Sequence, residues 1–467
     1  TGAIGTSDVT PQLREELAQK ITSDMEASAK RAAARHDDDP VIVVGRVASD
    51  QAVDLTLPKT VQMALDYNRD IKVAHYALTS SDFDIAIAKA GKMPQVGYTW
   101  SGARKMGQAN GRDVIANSFG NSFSVSIPLY TGGQVENEIA NAKLSKTNAQ
   151  EEMLRVQQAT KYSAVEGYYA LLAYQELRDV YHEAVDNLQG HLDNVTAQYN
   201  VGTKAKVDVL SSNVSLANSK TTAVTADNNV AIAESNLNNI LGLPLQTKLN
   251  LADHQLPFDT YDISLQEAID YAMKYRPEVL QAAVAVQEAE HNIGIAQAGN
   301  RPTVSVGAGR GWTDDDFPGV DDHNWSITGG VSWSLWDGGA TNARIKKSKE
   351  ALLSARETEQ KTREAVQLEV KQAYLNIRSA AQKVEETTAV IDQAKENYRI
   401  QNIRYQAGVG INLDVLDAQL SLNEAQVNHI QALYDYNVGI AKLEQAMGVD
   451  VRSGVIHPSL TATGYKG

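Results

Sequence analysis

Two carboxylates, Asp414 and Asp417, form the first candidate for a chemical site, because they lie three positions apart in a predicted helix. Side chains at that spacing share one helix face, so both carboxylates would face the same space. Such a pair concentrates negative charge and favours cations. A simpler interpretation is that Asp414 occupies the first turn of its helix, where the helix dipole favours an acid. The residues alone leave both interpretations open.

Other polar clusters favour structural interpretations. Oxygen ligands suit calcium, but five aspartates between two predicted strands fit a solvated loop better. Gly307, Gly309 and Gly311 alternate along a predicted strand with no helix after them, so they do not form a phosphate-binding loop. The histidines lack zinc-binding spacing, cysteine is absent, and no nucleophile pairs with a base, so we expect no catalytic residue, cofactor or metal. The five aspartates are Asp314, Asp315, Asp316, Asp321 and Asp322.

The charge balance is acidic, with 57 Asp and Glu against 43 Lys and Arg and a net charge of −14. A nucleic acid partner would require a basic surface, so we expect none. The 43% of hydrophobic residues is typical of a folded protein. The chain opens at Thr1 on a polar segment without the apolar core of a signal peptide, as expected of a processed mature form.

Similar residues recur at a constant offset, which predicts an internal tandem duplication. The offset is 206 positions between Gly132 and Gly338 and 208 positions between Pro94 and Pro302. Other pairs at 206 are Tyr168 and Tyr374, Tyr199 and Tyr405, Gly202 and Gly408, and Asp208 and Asp414. We expect an N-terminal extension at 1–54, structural repeats at 55–245 and 263–450, a linker at 246–262 and a C-terminal tail at 451–467.

Each repeat is predicted to contain a helix, a hairpin, a long helix and a return helix, so the fold class is mostly α with a β-hairpin part. No proline interrupts the first long helix, which would be about 100 Å long. Its apolar residues recur at steps of three and four, as in a coiled coil, and its broad polar surface suits a wall around water. The first helices span 57 to Pro94 and 264 to Pro302, the hairpins 95–130 and 303–336, and the long helices 134–200 and 340–407.

The hairpins alternate apolar and small polar residues, which predicts strands with two unlike faces. All five tryptophans lie in or beside these strands, as in the aromatic girdles of membrane barrels. A soluble sheet packed on a core is the alternative. Four strands cannot close a barrel in lipid, so we expect three chains to share twelve strands. The tryptophans are Trp100, Trp312, Trp325, Trp333 and Trp336.

The duplicated order of helix, hairpin ending in Gly-Gly, long helix, Tyr-x-x-Gly turn and Asp-Val-Leu resembles the TolC outer-membrane efflux protein family. The resemblance covers about 55–450. It implies a trimer whose β-barrel lies in outer-membrane lipid and whose helical tunnel crosses the periplasm. Its expected partners are a periplasmic adaptor protein and an inner-membrane pump, and it would be the passive exit duct of a tripartite efflux pump or a type I secretion system. The alternative is a structural periplasmic coiled-coil scaffold without a pore.

The resemblance also implies roles for individual residues. Asp414 and Asp417 would form the pore constriction at the periplasmic entrance, and Asp208 and Tyr405 would form links that close it. This sequence departs from the family at Gly410, where the best-known member has a basic residue. The turns would dock the adaptor, or would simply join two helices. They comprise Val201, Gly202 and Thr203, and Ala407, Gly408 and Val409.

Overall fold

The computed structural model describes residues 52–109, 112–449 and 451, which contain six strands and eight helices. The N-terminal extension predicted at 1–54 and the tail predicted at 451–467 lie almost entirely outside these residues. The elements in chain order are β1 (Val53–Leu55), α1 (Leu57–Tyr67), α2 (Arg69–Ala90), β2 (Gln95–Ala109), β3 (Arg112–Tyr130), α3 (Gln134–Asn200), α4 (Lys206–Ile240), β4 (Leu249–Leu251), α5 (Leu265–Tyr275), α6 (Pro277–Ala298), β5 (Thr303–Asp314), β6 (Asp322–Ser332), α7 (Ala340–Gln406) and α8 (Asn412–Met447).

The second half of this order repeats the first. Helices α1 and α5 each have 11 residues, α2 and α6 each have 22, and α3 and α7 each have 67. The return helices α4 and α8 have 35 and 36 residues. The structure is therefore mostly helical, with two equivalent sets of elements.

The first helix of each set is broken in two, so the prediction of one continuous helix before each hairpin was wrong. Asn68 leaves the helical conformation, and its side chain accepts a hydrogen bond from the Asp70 amide at 2.8 Å, which starts α2. In the second set, Pro277 begins α6, and Arg276 before it is extended. Proline disfavours a helical residue before it, which explains this break.

The junction at Arg276 is held by a buried ionic network. The Arg276 guanidinium donates to the Ala446 carbonyl at 2.8 Å and lies 3.0 Å from a Glu278 oxygen and 2.5 Å from a Glu369 oxygen. Its side chain is only 9% exposed. The network therefore joins α5, α6, α7 and α8, and Lys442 of α8 adds a second cation 2.8 Å from Glu369.

We expect Arg276→Met to destabilise the protein by roughly 1–3 kcal/mol, because the buried Ala446 carbonyl loses its donor and Glu278 loses its cation, whereas Glu369 keeps Lys442. Equilibrium urea unfolding would measure the loss. Arg356→Met is the matched control, since Arg356 pairs with Glu290 on the surface at 3.2 Å and its loss should cost about 1 kcal/mol or less. Equal effects of the two substitutions would contradict this account of the junction.

Strand and helix meet at two glycine joints. Gly132 and Gly133 precede α3, and Gly338 and Gly339 precede α7, all with left-handed φ angles between 68° and 91°. At the first joint, a Cβ on Gly132 would lie 2.9 Å from the Ala298 carbonyl oxygen, and the Arg301 side chain donates to the Gly132 carbonyl at 3.0 Å. At the second joint, no heavy atom lies within 4 Å of either added Cβ. Glycine permits the bend at both joints.

The four long strands form one open antiparallel sheet in the order β2-β3-β5-β6. Strand β6 ends at Ser332, so the hairpin is shorter than the predicted 303–336, and Trp333 and Trp336 follow the strand rather than belong to it. Here the Trp333 indole donates to the Asn300 carbonyl at 3.1 Å, and Asp337 caps α7 by accepting from the Thr341 amide at 2.7 Å. Strand β6 therefore ends before the segment that caps α7, earlier than the alternating sequence pattern predicts.

The helices follow the same lateral order as the strands. Near the sheet, α2 packs on α3, α3 on α6 and α6 on α7; near the far turns, α4 packs on α3, α3 on α8 and α8 on α7. The main hydrophobic core lies between these regions, where α1, α5, the middle of α3 and the end of α8 meet. The parallel pair β1 and β4 borders it.

Candidate functional site

The strand register gives the sheet two unlike faces. Residues in register share a face, and the register places the apolar residues of all four strands together. We call this side the aromatic face and the other the small-residue face. The aromatic face includes Val96, Tyr98, Trp100, Phe119, Phe123, Val125, Ala308, Arg310, Trp312, Trp325 and Ile327. The small-residue face includes Gly97, Thr99, Ser122, Ser124, Ser126, Gly307, Gly309, Gly311, Ser326 and Thr328.

Aromatic rings occupy two levels of the aromatic face. At the loop end, Trp100 lies 6.4 Å from Phe119, and both rings contact Phe317 at 6.2 and 5.9 Å. At the helix end are Trp333 and Trp336, both largely exposed. His323, at the register level of Trp100 and Trp312, lies ten residues before Trp333, about 33 Å of extended chain at roughly 3.3 Å per residue. On strands tilted by about 40°, that length spans roughly 25 Å, the height of the apolar band of an outer-membrane barrel.

The β5–β6 loop folds onto the aromatic rings at the loop end of the sheet, and the sequence did not indicate this contact. Asn121 donates to the Pro318 and Gly319 carbonyls at 2.9 and 3.0 Å and accepts from the Tyr98 hydroxyl at 2.6 Å. Phe317 thereby joins the ring cluster although it lies among aspartates in the sequence. A hydrophobic residue inside an acidic loop was the only available signal.

The two helical turns lie at the end of the molecule remote from the sheet. Gly202 and Gly408 have left-handed φ angles of 81° and 75°, which lets each chain reverse. The neighbouring Val201 and Val409 are 75% and 70% exposed. Thr203 donates both its amide and its hydroxyl to the Gln198 carbonyl. Each turn is therefore short and hydrogen-bonded, and each exposes an apolar side chain.

Tyr405 lies in a buried polar cluster just behind these turns. Its ring is fully buried, 5.0 Å from the His191 ring, and the Lys204 ammonium lies 4.3 Å above it. Burial, and then the Asp208 charge, raise the pKa of Tyr405. Its hydroxyl has no hydrogen-bond partner among the described residues. The structure thus brings Tyr405 and Asp208 close without a hydrogen bond between them.

His191 and Asn412 complete the cluster. The His191 Nε2 lies 2.6 Å from the Asn412 Oδ1, the Ser212 hydroxyl donates to that oxygen at 3.2 Å, and the Asn412 amide donates to the Asp208 carbonyl at 3.2 Å. Four helices, α3, α4, α7 and α8, are joined here. We define this set as the turn cluster: Asp208, His191, Lys204, Ser212, Tyr405 and Asn412.

Sequence reasoning missed His191, Lys204 and Asn412. Lys204 lies two positions after Gly202, the place in the first turn that corresponds to Gly410 in the second. The basic residue that is absent at Gly410 is therefore present on the other turn, and it contacts Tyr405 from there. Comparison of the two turns with each other was the available signal.

His191 makes the turn cluster sensitive to pH. Burial lowers the pKa of His191, while the Asn412 hydrogen bond and the Asp208 charge partly oppose that effect. The folded protein therefore binds a proton less readily than the unfolded chain, whose histidine has a pKa of about 6.5. The stabilisation is present above this value and is lost as the pH falls towards the lower pKa of the folded state.

We expect acidification from pH 7.5 to 5.5 to lower the free energy of unfolding, and with it the melting temperature, more in the wild type than in His191→Gln. The difference is at most about 1.4 kcal/mol, because pH 5.5 lies about one unit below the pKa of an unfolded histidine. Thermal scans at both pH values would test this. His182→Gln is the control, since it removes an exposed histidine of the same helix outside the turn cluster. Identical pH profiles for wild type and His191→Gln would rule out His191 as the titrating group.

Asp414 and Asp417 lie one turn apart at the start of α8. Asp414 is half-buried in the first turn, and Asp417 is exposed. Asp417 lines an open groove of about 990 Å³ between α4 and α8, floored by Tyr181 and Leu188 of α3. The exposed Leu413 and Leu420 border it on the α8 side. One carboxylate of the pair is therefore freely available at this groove.

The fold and these surfaces are those of a protein in which a sheet with one lipid-compatible face continues into a helical array about 100 Å long. Among the described residues, no helix combines the length and apolar character needed to span a bilayer. The chain belongs to the outer membrane efflux protein family, whose model matches residues 60–243 and again 268–449.

Individual relatives agree with this assignment. The chain is 25% identical over 419 residues to the outer membrane efflux protein BepC of Brucella suis, covering 87% of this chain and 89% of that protein. It is 24% identical over 397 residues to the outer membrane protein TolC of Escherichia coli, covering 79% of this chain and 78% of that protein. The structure of the outer-membrane channel OprN superposes with a TM-score of 0.74 at 18% identity, over 85% of this chain and 90% of that one.

The resemblance to the TolC family is therefore confirmed. The protein is a non-enzymatic efflux protein of the outer membrane, and its helices lie in the periplasm.

Proposed function

We propose that three copies of this chain form a closed channel that passively conducts substrates from the periplasm to the exterior. The main support is that the strands and helices of one chain form an open layer. The two edges of this layer differ from each other, both in the sheet and along the helices. Strand β2 and helix α2 form one edge, and β6 and α7 form the other. Unlike edges pair head to tail, and such contacts close into a ring when the rotation between neighbouring copies is a whole fraction of a turn.

The edge helices carry unpartnered apolar residues at coiled-coil spacing. On α2, Val73, Tyr76, Phe83 and Ile87 are 65–70% exposed, while Ile71 and Ala74 on its other side are buried near α3. On α7, Leu368 and Leu375 are about half exposed, as is Ile403 near the turn. Steps of three, four and seven suit packing against another helix rather than water.

The sheet supports the same assembly. Four strands leave two open edges, which lipid does not tolerate, and three copies supply twelve strands. Closure with the aromatic face outwards would contact lipid and leave the small-residue face around a water-filled interior. The repeated element order and the double match to one family model likewise support an internal tandem duplication.

The turns suit the proposed partners. We infer that Val201, Gly202 and Thr203, together with Ala407, Gly408 and Val409, dock a periplasmic adaptor, because they are exposed, apolar and remote from the membrane. An inner-membrane pump would supply the energy that this protein lacks. Threefold symmetry would bring six carboxylates from Asp414 and Asp417 together at the entrance, and the turn cluster around Tyr405 and Asp208 would hold the neighbouring helices.

The mass of the purified oligomer in detergent, combined with its conductance in planar bilayers, tests the proposal. We expect a trimer that inserts and conducts ions. A monodisperse monomer that needs no detergent and gives no conductance would instead favour the periplasmic scaffold. Both measurements use the intact chain.

A further inference from the structure

Arg310 occupies an unusual position on the aromatic face. It lies in the inner strand β5, in register with Phe123 on one side and Trp325 on the other. Among the described residues, no other Asp, Glu, Lys or Arg occupies this face between the levels of Val304 and Trp312. A single cation thus projects from this part of the aromatic face, while Asp314 and Arg104 lie on the same face nearer the loops.

The Arg310 guanidinium has an aromatic partner but no anionic one. Its central carbon lies 5.0 Å from the centre of the Trp312 ring, a cation–π arrangement. No carboxylate of the described residues lies within 4.0 Å of it. The ring orients the cation, and no carboxylate in the described part of the chain pairs with the guanidinium N–H donors.

The position of Arg310 along the strand determines which groups outside the chain lie near it. Arg310 lies two residues, or about 7 Å of extended strand, on the membrane side of Trp312. Trp312 belongs to the aromatic level at the loop end of the sheet. An arginine is far less costly near a membrane interface than at the midplane, because its head can reach the headgroups. The helices lie in the periplasm, so the headgroups nearest Arg310 are those of the outer leaflet.

Phosphate is the headgroup chemistry that matches an arginine best. The guanidinium fork donates two parallel hydrogen bonds to phosphate oxygens, and its charge complements theirs. Trp312 and Trp325 can also pack against the apolar part of a lipid near its phosphate. These properties favour a lipid over a soluble anion.

We propose that Arg310, between Trp312 and Trp325, binds the phosphate group of an outer-leaflet lipid on the exterior of the protein. This inference rests on the proposed function, in which the aromatic face contacts lipid. It adds a specific lipid site to a surface that would otherwise contact acyl chains without specificity.

Native mass spectrometry of the oligomer, released from micelles containing lipid A, tests the site. We expect lipid A with both phosphates to be retained by the wild type and by Arg310→Lys, and at least tenfold less by Arg310→Gln. Lys105→Gln is the matched control, because it removes a cation from the small-residue face and should not change retention. Dephosphorylated lipid A should bind wild type and Arg310→Gln equally.

Equal retention of phosphorylated lipid by wild type and Arg310→Gln would overturn the proposal, as would displacement of the lipid by an equal concentration of inorganic phosphate. Conductance of the same samples separates this result from the channel itself. A wild type that conducts but shows no phosphate-dependent retention refutes only the lipid site. A wild type that neither oligomerises nor inserts refutes the proposed function.

Discussion

Replacing Phe83 and Ile87 by glutamate is expected to abolish the oligomer while leaving the protomer folded. Both side chains are exposed on α2, opposite its contact with α3, so the isolated chain loses little. In the proposed ring they are buried against a neighbour. Burying each is worth roughly 1.5–3 kcal/mol, and a buried unpaired carboxylate costs more. Each interface should therefore weaken by on the order of a thousandfold or more.

Mass measurement in detergent would detect the loss of the oligomer, and circular dichroism would verify that the helices remain. Lys89→Glu is the control, since it changes an exposed charge two positions from Ile87 but about 160° around the helix from it, off the apolar stripe of α2. It should leave the oligomer intact. A trimer that persists in the double glutamate variant would mean that α2 is not an edge of the ring.

Replacing Asp414 and Asp417 by alanine is expected to remove most of the cation preference of the channel. Threefold symmetry would place six carboxylates in a narrow entrance, where charged rings select ions of opposite sign. Asp417 is exposed and Asp414 half-buried, so neither supports the core and the variant should fold. Reversal potentials in planar bilayers under a salt gradient would report the change.

Asp435→Ala is the matched control, because Asp435 lies on the same helix about 27 Å from Asp417 at roughly 1.5 Å per residue. Its removal should leave the reversal potential unchanged. If the double alanine variant keeps the wild-type ion preference, the two aspartates do not form the constriction, and Asp414 serves only its helix terminus.

Most elements were predictable because local residues determine them. The long helix α3 begins after Gly133 and ends before Gly202, and no proline lies between. The alternation of the strands survives in the sheet because register preserves it across all four. By contrast, at Asn68 the chain can either continue one helix or end α1 and cap a new helix with the Asn68 side chain. Local patterns do not decide that competition, because α1 packs on α3, far away in sequence.

The candidate sites were less predictable because they join distant segments. His191 and Asn412 are 221 positions apart yet meet at 2.6 Å. Phe317 joins Trp100 and Phe119 through a loop that folds back, and nothing in its acidic neighbours indicates this. The paired aspartates of α8 were visible because their spacing lies within one helix. Clusters formed between helices required the three-dimensional arrangement.

The two glycine joints have unequal evolutionary freedom although they make the same bend. At Gly132, both the backbone angle and the adjacent Ala298 carbonyl exclude any side chain. At Gly338 and Gly339, only the angle imposes a restriction within one protomer, and asparagine tolerates that angle better than other residues. Selection should therefore act strictly on the first joint, while neutral drift to asparagine is open to the second.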